Sequence, residues 1–341
     1  MKPRDRQLAA IRREPTDRIS IDAIHVENLD GIACLLNIPL QDVLPYLGID
    51  GRCYAPAYKG AHRFDSDGRL LSDWGTAAVE EYGSNNHYPF HSESTAQEVE
   101  KYQWPNPEDY DYESTMNVMR ADQASYATRG PYWRPIFCTI CSLMGIEDAL
   151  VAMYEESAVF EAVLERVLAI NYSYCKKMID TCGDSLDILS LGDDFATQRG
   201  LMMSPKLWRK YLKPAYEKLF ELGRQKGKPI WFHSCGDVSS VLSDLIDIGI
   251  DVWETVQLHT LPMTPEQLKK KYGKNLIFFG AVNTQNLPFS SVEAVREEVE
   301  HCIRVLGRDG GYICGPDHHI KPDVSPELAL TLFETAKGFS W

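Results

Sequence analysis

The chain has 341 residues, of which 44% are hydrophobic and 25% are charged, and these values are typical of a globular protein. Its formal net charge of −14 argues against binding to the phosphate backbone of nucleic acids. No apolar stretch is long enough to span a bilayer and the amino terminus does not resemble a secretory signal, so we expect a cytoplasmic protein without a membrane partner. The nine cysteines are scattered, which favours core thiols and metal ligands over disulfides.

The first third of the chain predicts short, irregularly spaced elements. In order, they are a helix over 4–13, a strand over 19–23, helical stretches over 28–37 and 39–47, and a weak strand near 52–58. Residues 50–90 are rich in Gly, Tyr and Asp and contain β-like pieces at 70–75 and 77–82. We interpret 50–90 as an inserted hairpin region. Thr95 and Glu98 have the spacing of a capping box, which predicts a short helix.

From residue 112 onwards, strand and helix patterns alternate regularly. The predicted helices are 113–129, 146–156, 158–181, 205–226, 238–248, 265–272, 290–306 and 325–338, and the strands are 133–140, 186–191, the apolar run after Pro229, 252–256, 276–282 and 311–314. Roughly eight βα units with short connections predict a (β/α)8 TIM barrel, an α/β fold with a single domain over 1–341. No Gly-x-Gly-x-x-Gly follows a strand, which disfavours a doubly wound nucleotide-binding sheet.

Cysteine and histidine collect where the predicted strands end, which is the functional face of such a barrel. His233 and Cys235 are two residues apart, so they face the same side, and an imidazole beside a thiolate suits Zn²⁺. The third ligand comes from the last strand or its loop, as either Cys314 or His318. Three protein ligands with one open position are typical of a catalytic zinc site.

Other polar residues at predicted strand ends are candidates for catalysis and binding. The predicted catalytic residues are the carboxylates Asp193, Asp194 and Glu254, and the predicted substrate-binding residues are Gln198, Asn283 and His25. Cys138 and Cys141 have the C-x-x-C spacing. We interpret them as core thiols, because a redox pair favours a helix N-terminus in a thioredoxin-like context.

Several segments resemble the uroporphyrinogen decarboxylase superfamily. They are Leu191–Gly200 with Ser204-Pro205, Phe232–Asp237, Phe279–Gln285 and Gly310–Ile320. The resemblance implies a (β/α)8 barrel. The amino-terminal Arg-Gln-Ala-Gly-Arg-Tyr motif of true uroporphyrinogen decarboxylases does not occur in this sequence. The chain looks more like the zinc methyltransferases of corrinoid-dependent methyl transfer, in which His-x-Cys and a later Cys or His are zinc ligands. His318 lines up with that later position, and Cys314 lies four residues earlier.

This resemblance implies a zinc-dependent methyltransferase. The enzyme would move a methyl group between a small molecule, either a methoxy compound or a thiol, and the cobalt of a corrinoid. The implied cofactors are Zn²⁺ and a corrinoid carried by a partner protein. Two alternatives stay open: a decarboxylase acting on a smaller acid, and a non-catalytic barrel that binds a corrinoid protein. The direction of methyl transfer also stays open.

Overall fold

Short strands alternate with longer helices in our computed structural model, which describes residues 1–76 and 88–341. The strands are β1 (Ser20–Ile21), β2 (Gly51–Cys53), β3 (Ala57–Tyr58), β4 (Tyr110–Asp111), β5 (Ala127–Pro131), β6 (Ile188–Gly192), β7 (Ala196–Thr197), β8 (Gly200–Leu201), β9 (Ile230–His233), β10 (Val252–Val256), β11 (Ile277–Val282) and β12 (Tyr312–Pro316). The α-helices are α1 (Pro3–Ile11), α2 (Leu29–Leu36), α3 (Val43–Leu47), α4 (Ala96–Lys101), α5 (Tyr112–Asp122), α6 (Phe137–Met144), α7 (Ile146–Tyr154), α8 (Ala158–Cys182), α9 (Pro205–Arg224), α10 (Leu242–Asp247), α11 (Pro265–Tyr272), α12 (Val292–Leu306) and α13 (Pro326–Gly338). Short 3-10 turns occur at Leu40–Asp42, Pro107–Asp109, Gly183–Ser185, Leu258–Thr260 and Leu287–Phe289.

The central sheet has 8 strands in the spatial order β1-β12-β11-β10-β9-β6-β5-β2, and every neighbouring pair is parallel. At the seam between β1 and β2, the Asp50 N–H donates to the Ile21 carbonyl over 2.9 Å. Helices surround the sheet, so the predicted (β/α)8 barrel is confirmed.

The barrel interior is filled by alternate residues of its strands. An apolar cluster there comprises Ala10, Ile11, Ala127, Ile188, Trp231, Val252, Ile277, Phe279 and Ile313. Members of this cluster that share a strand, such as Ile277 and Phe279, are two residues apart, because side chains on a strand alternate between its two faces. Ala10 and Ile11 come from α1, which therefore packs against the interior.

Local sequence signals place several helices where they were predicted. Ser204 accepts a hydrogen bond from the Leu207 N–H at the start of α9, and Pro205 occupies its first position. Thr95 and Glu98 form the predicted capping box of α4. After residue 186, each predicted strand overlaps a barrel strand.

The strand predicted over 133–140 is wrong. The barrel strand is β5, Ala127–Pro131, and the apolar run that follows forms α6. The helix predicted over 113–129 accordingly ends at Asp122. A short apolar run with Ile and Thr fits a strand or a buried helix equally well, whereas Arg129 and a Gly-Pro pair made β5 look unlike a strand. Cys138 and Cys141 therefore lie in a helix rather than at a strand end.

The region predicted as an insertion, 50–90, begins inside the barrel, because Gly51–Cys53 is β2. After it, β3 pairs antiparallel with β4, and an antiparallel bridge joins Phe64 to Leu70. The β-like piece at 77–82 falls outside the described residues. That 50–90 is an inserted hairpin region stays a prediction.

Within the described residues, no single helix is long and apolar enough to cross a membrane. A pair of suitable composition, α6 and α7, is bent by 111°.

Asp50 joins the two strands at the barrel seam through its side chain as well as its backbone. The carboxylate is fully buried and accepts from the Ile21 N–H over 3.1 Å. It also lies 2.7 Å from Arg6 Nη1 and 3.0 Å from Arg18 Nη2. This single side chain therefore joins two guanidinium groups, of which Arg6 is also paired with Asp17, and fixes β1.

We expect Asp50→Ala to destabilise the barrel by about 3–5 kcal/mol, because it leaves two partly or fully buried cations without their shared partner. The urea midpoint measured by circular dichroism should fall accordingly. Glu221→Gln removes an exposed partner of Arg224 on α9 and is the control that should leave the midpoint unchanged. Equal midpoints for Asp50→Ala and wild type would contradict the role given to Asp50.

Candidate metal centre

Strand β9 carries two of the predicted ligands to the carboxyl end of the barrel. Its last residue, His233, is buried and pairs in register with Glu254 of β10. Cys235 follows two residues later and is partly exposed. Gly236 turns the chain with φ +79°, and a Cβ there would lie 2.5 Å from the Thr197 carbonyl oxygen. The turn after Cys235 therefore requires glycine.

His233, Cys235 and His318 converge at this end of the barrel. One ligand atom from each lies within 4.8 Å of the others. The Cys235 Sγ is 3.4 Å from His233 Nε2. A tetrahedral zinc ion with ordinary bond lengths would separate a sulfur and a nitrogen ligand by about 3.6 Å. The donor types and their spacing therefore fit zinc.

His318 is chemically suited to be the third ligand. Burial, with a smaller effect of nearby His233, lowers the pKa of His318 to about 4. The ring is therefore neutral near pH 7, and a neutral imidazole is the form that coordinates a metal.

Cys314, the alternative third ligand, faces the other way. Its neighbour Ile313 belongs to the cluster inside the barrel, so Cys314 points outwards into the core beneath the helices. Burial raises the pKa of the Cys314 thiol to about 12, which keeps it protonated. Among the described residues, His318 and not Cys314 joins His233 and Cys235.

Glu254 lies behind His233 and is 0% exposed. Its Oε1 is 2.8 Å from His233 Nδ1, and its Oε2 accepts a hydrogen bond from Trp231 Nε1. Burial acts to raise the pKa of Glu254, but the His233 hydrogen bond and nearby Arg129 bring it below its ordinary value. An ionised Glu254 accepts a hydrogen bond from Nδ1–H, which turns Nε2 towards Cys235 and the candidate metal position.

The two adjacent carboxylates after β6 have different surroundings. Asp193 is fully buried and accepts from the backbone N–H groups of Ile136, Phe137 and Cys138 and from the Tyr216 hydroxyl. It therefore anchors the start of α6. Asp194 is 24% exposed at its side chain; its Oδ1 accepts from the Cys235 N–H over 2.8 Å and lies 3.7 Å from His233 Nε2.

A cleft of about 580 Å³ opens beside these residues. Its lining includes Asp194, Thr197, Gln198, Cys235, Gln257, Thr284, Gln285, Phe289, His318, His319 and Lys321. Of the predicted substrate-binding residues, Gln198 lines the cleft. Asn283 instead holds a turn, because its Oδ1 accepts from the Gln285 and Asn286 N–H groups. His25 is exposed, and its ring lies 5.5 Å from that of His319.

Two aromatic residues of the site were missed. The rings of Tyr132 and Trp133 lie edge-on to His233, at 6.1 Å and 5.5 Å between centroids. They precede α6, within and beside the segment that was misassigned as a strand. Gly192 makes room for this arrangement, because a Cβ there would lie 2.9 Å from both the His233 Cβ and the Trp133 ring. In the sequence, the glycine before Asp193-Asp194 was the signal that could have indicated a bulky neighbour at this strand end.

The fold and the site define a (β/α)8 barrel with a His-Cys-His donor cluster at the carboxyl end of its strands. The family model of uroporphyrinogen decarboxylase (URO-D) matches residues 133–339. The chain belongs to the URO-D family, as its sequence predicts.

Comparisons with individual proteins agree with this assignment. The chain is 32% identical over 87 residues to a methionine synthase of Methanothermobacter thermautotrophicus, covering 24% of this chain and 28% of that protein. It is 26% identical over 180 residues to a uroporphyrinogen decarboxylase of Thermus thermophilus, covering 51% of this chain and 47% of that protein. The matches therefore span less than half the length of either relative. A solved methyltransferase from Methanosarcina mazei has the same fold, with a TM-score of 0.68, 16% identity, and coverage of 99% of this chain and 98% of that one.

We expect His233→Ala, Cys235→Ser and His318→Ala each to lose stoichiometric zinc, because each removes one of three ligands. The measurement is zinc per chain by mass spectrometry after dialysis against a weak chelator. Cys314→Ser is the matched control and should keep its zinc, because this thiol faces the core. Loss of zinc in Cys314→Ser with retention in His318→Ala would reverse the assignment of the third ligand.

Proposed function

We propose that this protein is a zinc-dependent methyltransferase that works with a corrinoid protein. In this proposal it moves a methyl group between a methoxy compound or thiol and the cobalt of the partner's corrinoid. The observation that carries the proposal is the convergence of His233, Cys235 and His318 beside an open cleft. Three protein ligands leave a coordination position for a substrate, as in catalytic zinc sites.

Similar proteins support the reaction class. A relative is named methionine synthase, and a protein of the same fold is named a methyltransferase. Membership of the URO-D family is compatible with this chemistry and with decarboxylation. The donor cluster favours methyl transfer, because a cysteine sulfur and two imidazole nitrogens are ligands that suit zinc.

The proposed roles follow from where each side chain lies. His233, Cys235 and His318 would hold the zinc, and the bound ion would supply Lewis-acid chemistry that polarises an ether oxygen or lowers the pKa of a thiol. Glu254 holds His233 with Nε2 towards the metal. Asp194 is partly exposed beside these ligands. We therefore assign it the role of accepting the proton of a thiol or of donating a proton to a departing oxygen.

The cleft can seat a small polar substrate. Gln198, Thr284 and Gln285 offer amide and hydroxyl groups on one side of it, and His319 lies beside His318. Phe289 lines the same cleft and is 88% exposed. We assign this open rim to the corrinoid protein, since its corrinoid must approach the substrate closely for the methyl group to move.

The experiment uses the zinc-loaded protein with free cob(I)alamin and a panel of methoxy compounds, and separately with methylcobalamin and a panel of thiols. The absorbance spectrum of the cobalamin reports gain or loss of the methyl group. We expect transfer with at least one compound, and its loss in Cys235→Ser and His318→Ala but not in Cys314→Ser. Transfer that persists in Cys235→Ser, or needs no zinc, would contradict the proposal.

Decarboxylation is the second candidate, because the Thermus relative carries that name. Decarboxylation of a small carboxylic acid that survives Cys235→Ser, together with no transfer to or from cobalamin, would favour it. Binding of a corrinoid protein with neither reaction would favour a non-catalytic barrel.

We expect Asp194→Asn to reduce methyl transfer by about 100-fold while leaving zinc content unchanged, because it removes a proton acceptor without removing a ligand. Steady-state rates and zinc analysis on the same sample provide the test. Asp193→Asn should behave differently and lower stability by roughly 1–3 kcal/mol, because this buried carboxylate anchors α6. Equal effects of the two variants on rate and stability would contradict the division of roles.

A further inference from the structure

A charged residue occupies the interior of the barrel below the metal centre. Arg129 of β5 is 2% exposed, and its Nη1 donates to Asp22 Oδ2 over 2.7 Å. Its guanidinium carbon lies 4.6 Å from the centre of the Trp231 ring. Barrel interiors are commonly filled by branched apolar residues, as Ile188 and Ile313 do here, so a buried cation in this layer calls for an explanation.

The contacts of Arg129 lead to the proposed metal ligand. The Trp231 indole under the guanidinium donates its N–H to Glu254 Oε2. The other oxygen of Glu254 is 2.8 Å from His233 Nδ1. A continuous series of contacts therefore runs from Arg129 through Trp231 and Glu254 to His233.

Pairing with Asp22 alone does not explain this arrangement. A buried ion pair can often be replaced by apolar residues without loss of stability. The Arg129 side chain lies on the same indole that bonds Glu254, and a planar cation on an indole face restrains that ring. The fixed ring then restrains the carboxylate that it bonds.

We propose that Arg129 and Trp231 are positioning residues of the metal centre, which hold Glu254 where it orients His233 towards zinc. This inference rests on the proposed zinc site, and it gives the Arg129–Asp22 ion pair inside the barrel a role in supporting that site. Arg129 also places a positive charge near Glu254 in the dry interior, where such an interaction is stronger than in water.

The test is a double-mutant cycle on zinc affinity, measured by competition with a chromogenic chelator. We expect Glu254→Gln and Arg129→Met each to weaken zinc binding by about tenfold or more, the range found for partners of metal ligands. Because Arg129 acts through Glu254, the double variant should bind zinc no more weakly than Glu254→Gln alone. Additive losses, or an Arg129→Met variant with wild-type affinity, would overturn the inference.

Two further measurements separate positioning from general destabilisation. Arg134→Met is the matched control: Arg134 is also stacked, 3.6 Å from the Tyr174 ring centre, and its side chain is only 11% exposed, but it lies outside this series of contacts. It should keep wild-type zinc affinity, and an equal loss there would overturn the inference. Nitrogen NMR of histidine-labelled protein at limiting zinc should show His233 with a protonated Nδ1 and a metal-bound Nε2 in wild type, and a larger fraction of metal-free His233 in Arg129→Met.

Should Arg129→Met fail to fold, Trp231→Phe takes its place in the cycle, because it keeps an aromatic ring and removes the indole donor together with part of the indole volume. Its zinc affinity should fall, and this loss should not add to the loss caused by Glu254→Gln. A wild-type protein that binds no zinc would overturn the proposed function and this inference together. Zinc binding by wild type with unchanged affinity in Arg129→Met or Trp231→Phe would overturn this inference alone.

Discussion

The site depends on the hydrogen bond between His233 Nδ1 and Glu254, which is 2.8 Å long and buried. A carboxylate with no exposure to water is costly unless its oxygens have partners, and the only donors in reach are His233 and Trp231 among the residues described. The bond therefore has two consequences. It satisfies Glu254, and it fixes which nitrogen of His233 faces the cleft. Because β9 and β10 are adjacent parallel strands in register, the backbone already places the two side chains together.

The alternation of side chains along a strand explains why the two carboxylates after β6 have different surroundings. Successive side chains at a strand end point in opposite directions, so Asp193 turns outwards to α6 while Asp194 turns towards His233. The outward residue meets three N–H groups at a helix start, which a carboxylate satisfies well. Its oxygens are saturated by those contacts and by Tyr216, so little of Asp193 is available for chemistry. An adjacent pair in sequence thus separates into a structural and a cleft-lining residue.

Much of the barrel could be predicted because its later strands are apolar runs bounded by turn residues. β5 could not, since Arg129 interrupts its apolar pattern and is balanced by Asp22, a residue far away in sequence. The His-x-Cys pair was predictable from the two-residue repeat of a strand. The choice between Cys314 and His318 was not, because it depends on which face of β12 points inwards. Asn283 likewise lies at a strand end, but its oxygen is used within its own turn.

Charge at the centre of the barrel gives a physical reason for a divalent ion. Asp22 and Glu254 are buried carboxylates, and Arg129 is the cation that lies between them. With Cys235 as a thiolate ligand, Asp22, Glu254 and Cys235 carry three negative charges, and Arg129 carries one positive charge. A divalent cation offsets this excess of negative charge more fully than a monovalent one, in an interior with little water to screen it. The interior below the cleft is therefore complementary to an ion such as Zn²⁺ in charge as well as in donor chemistry.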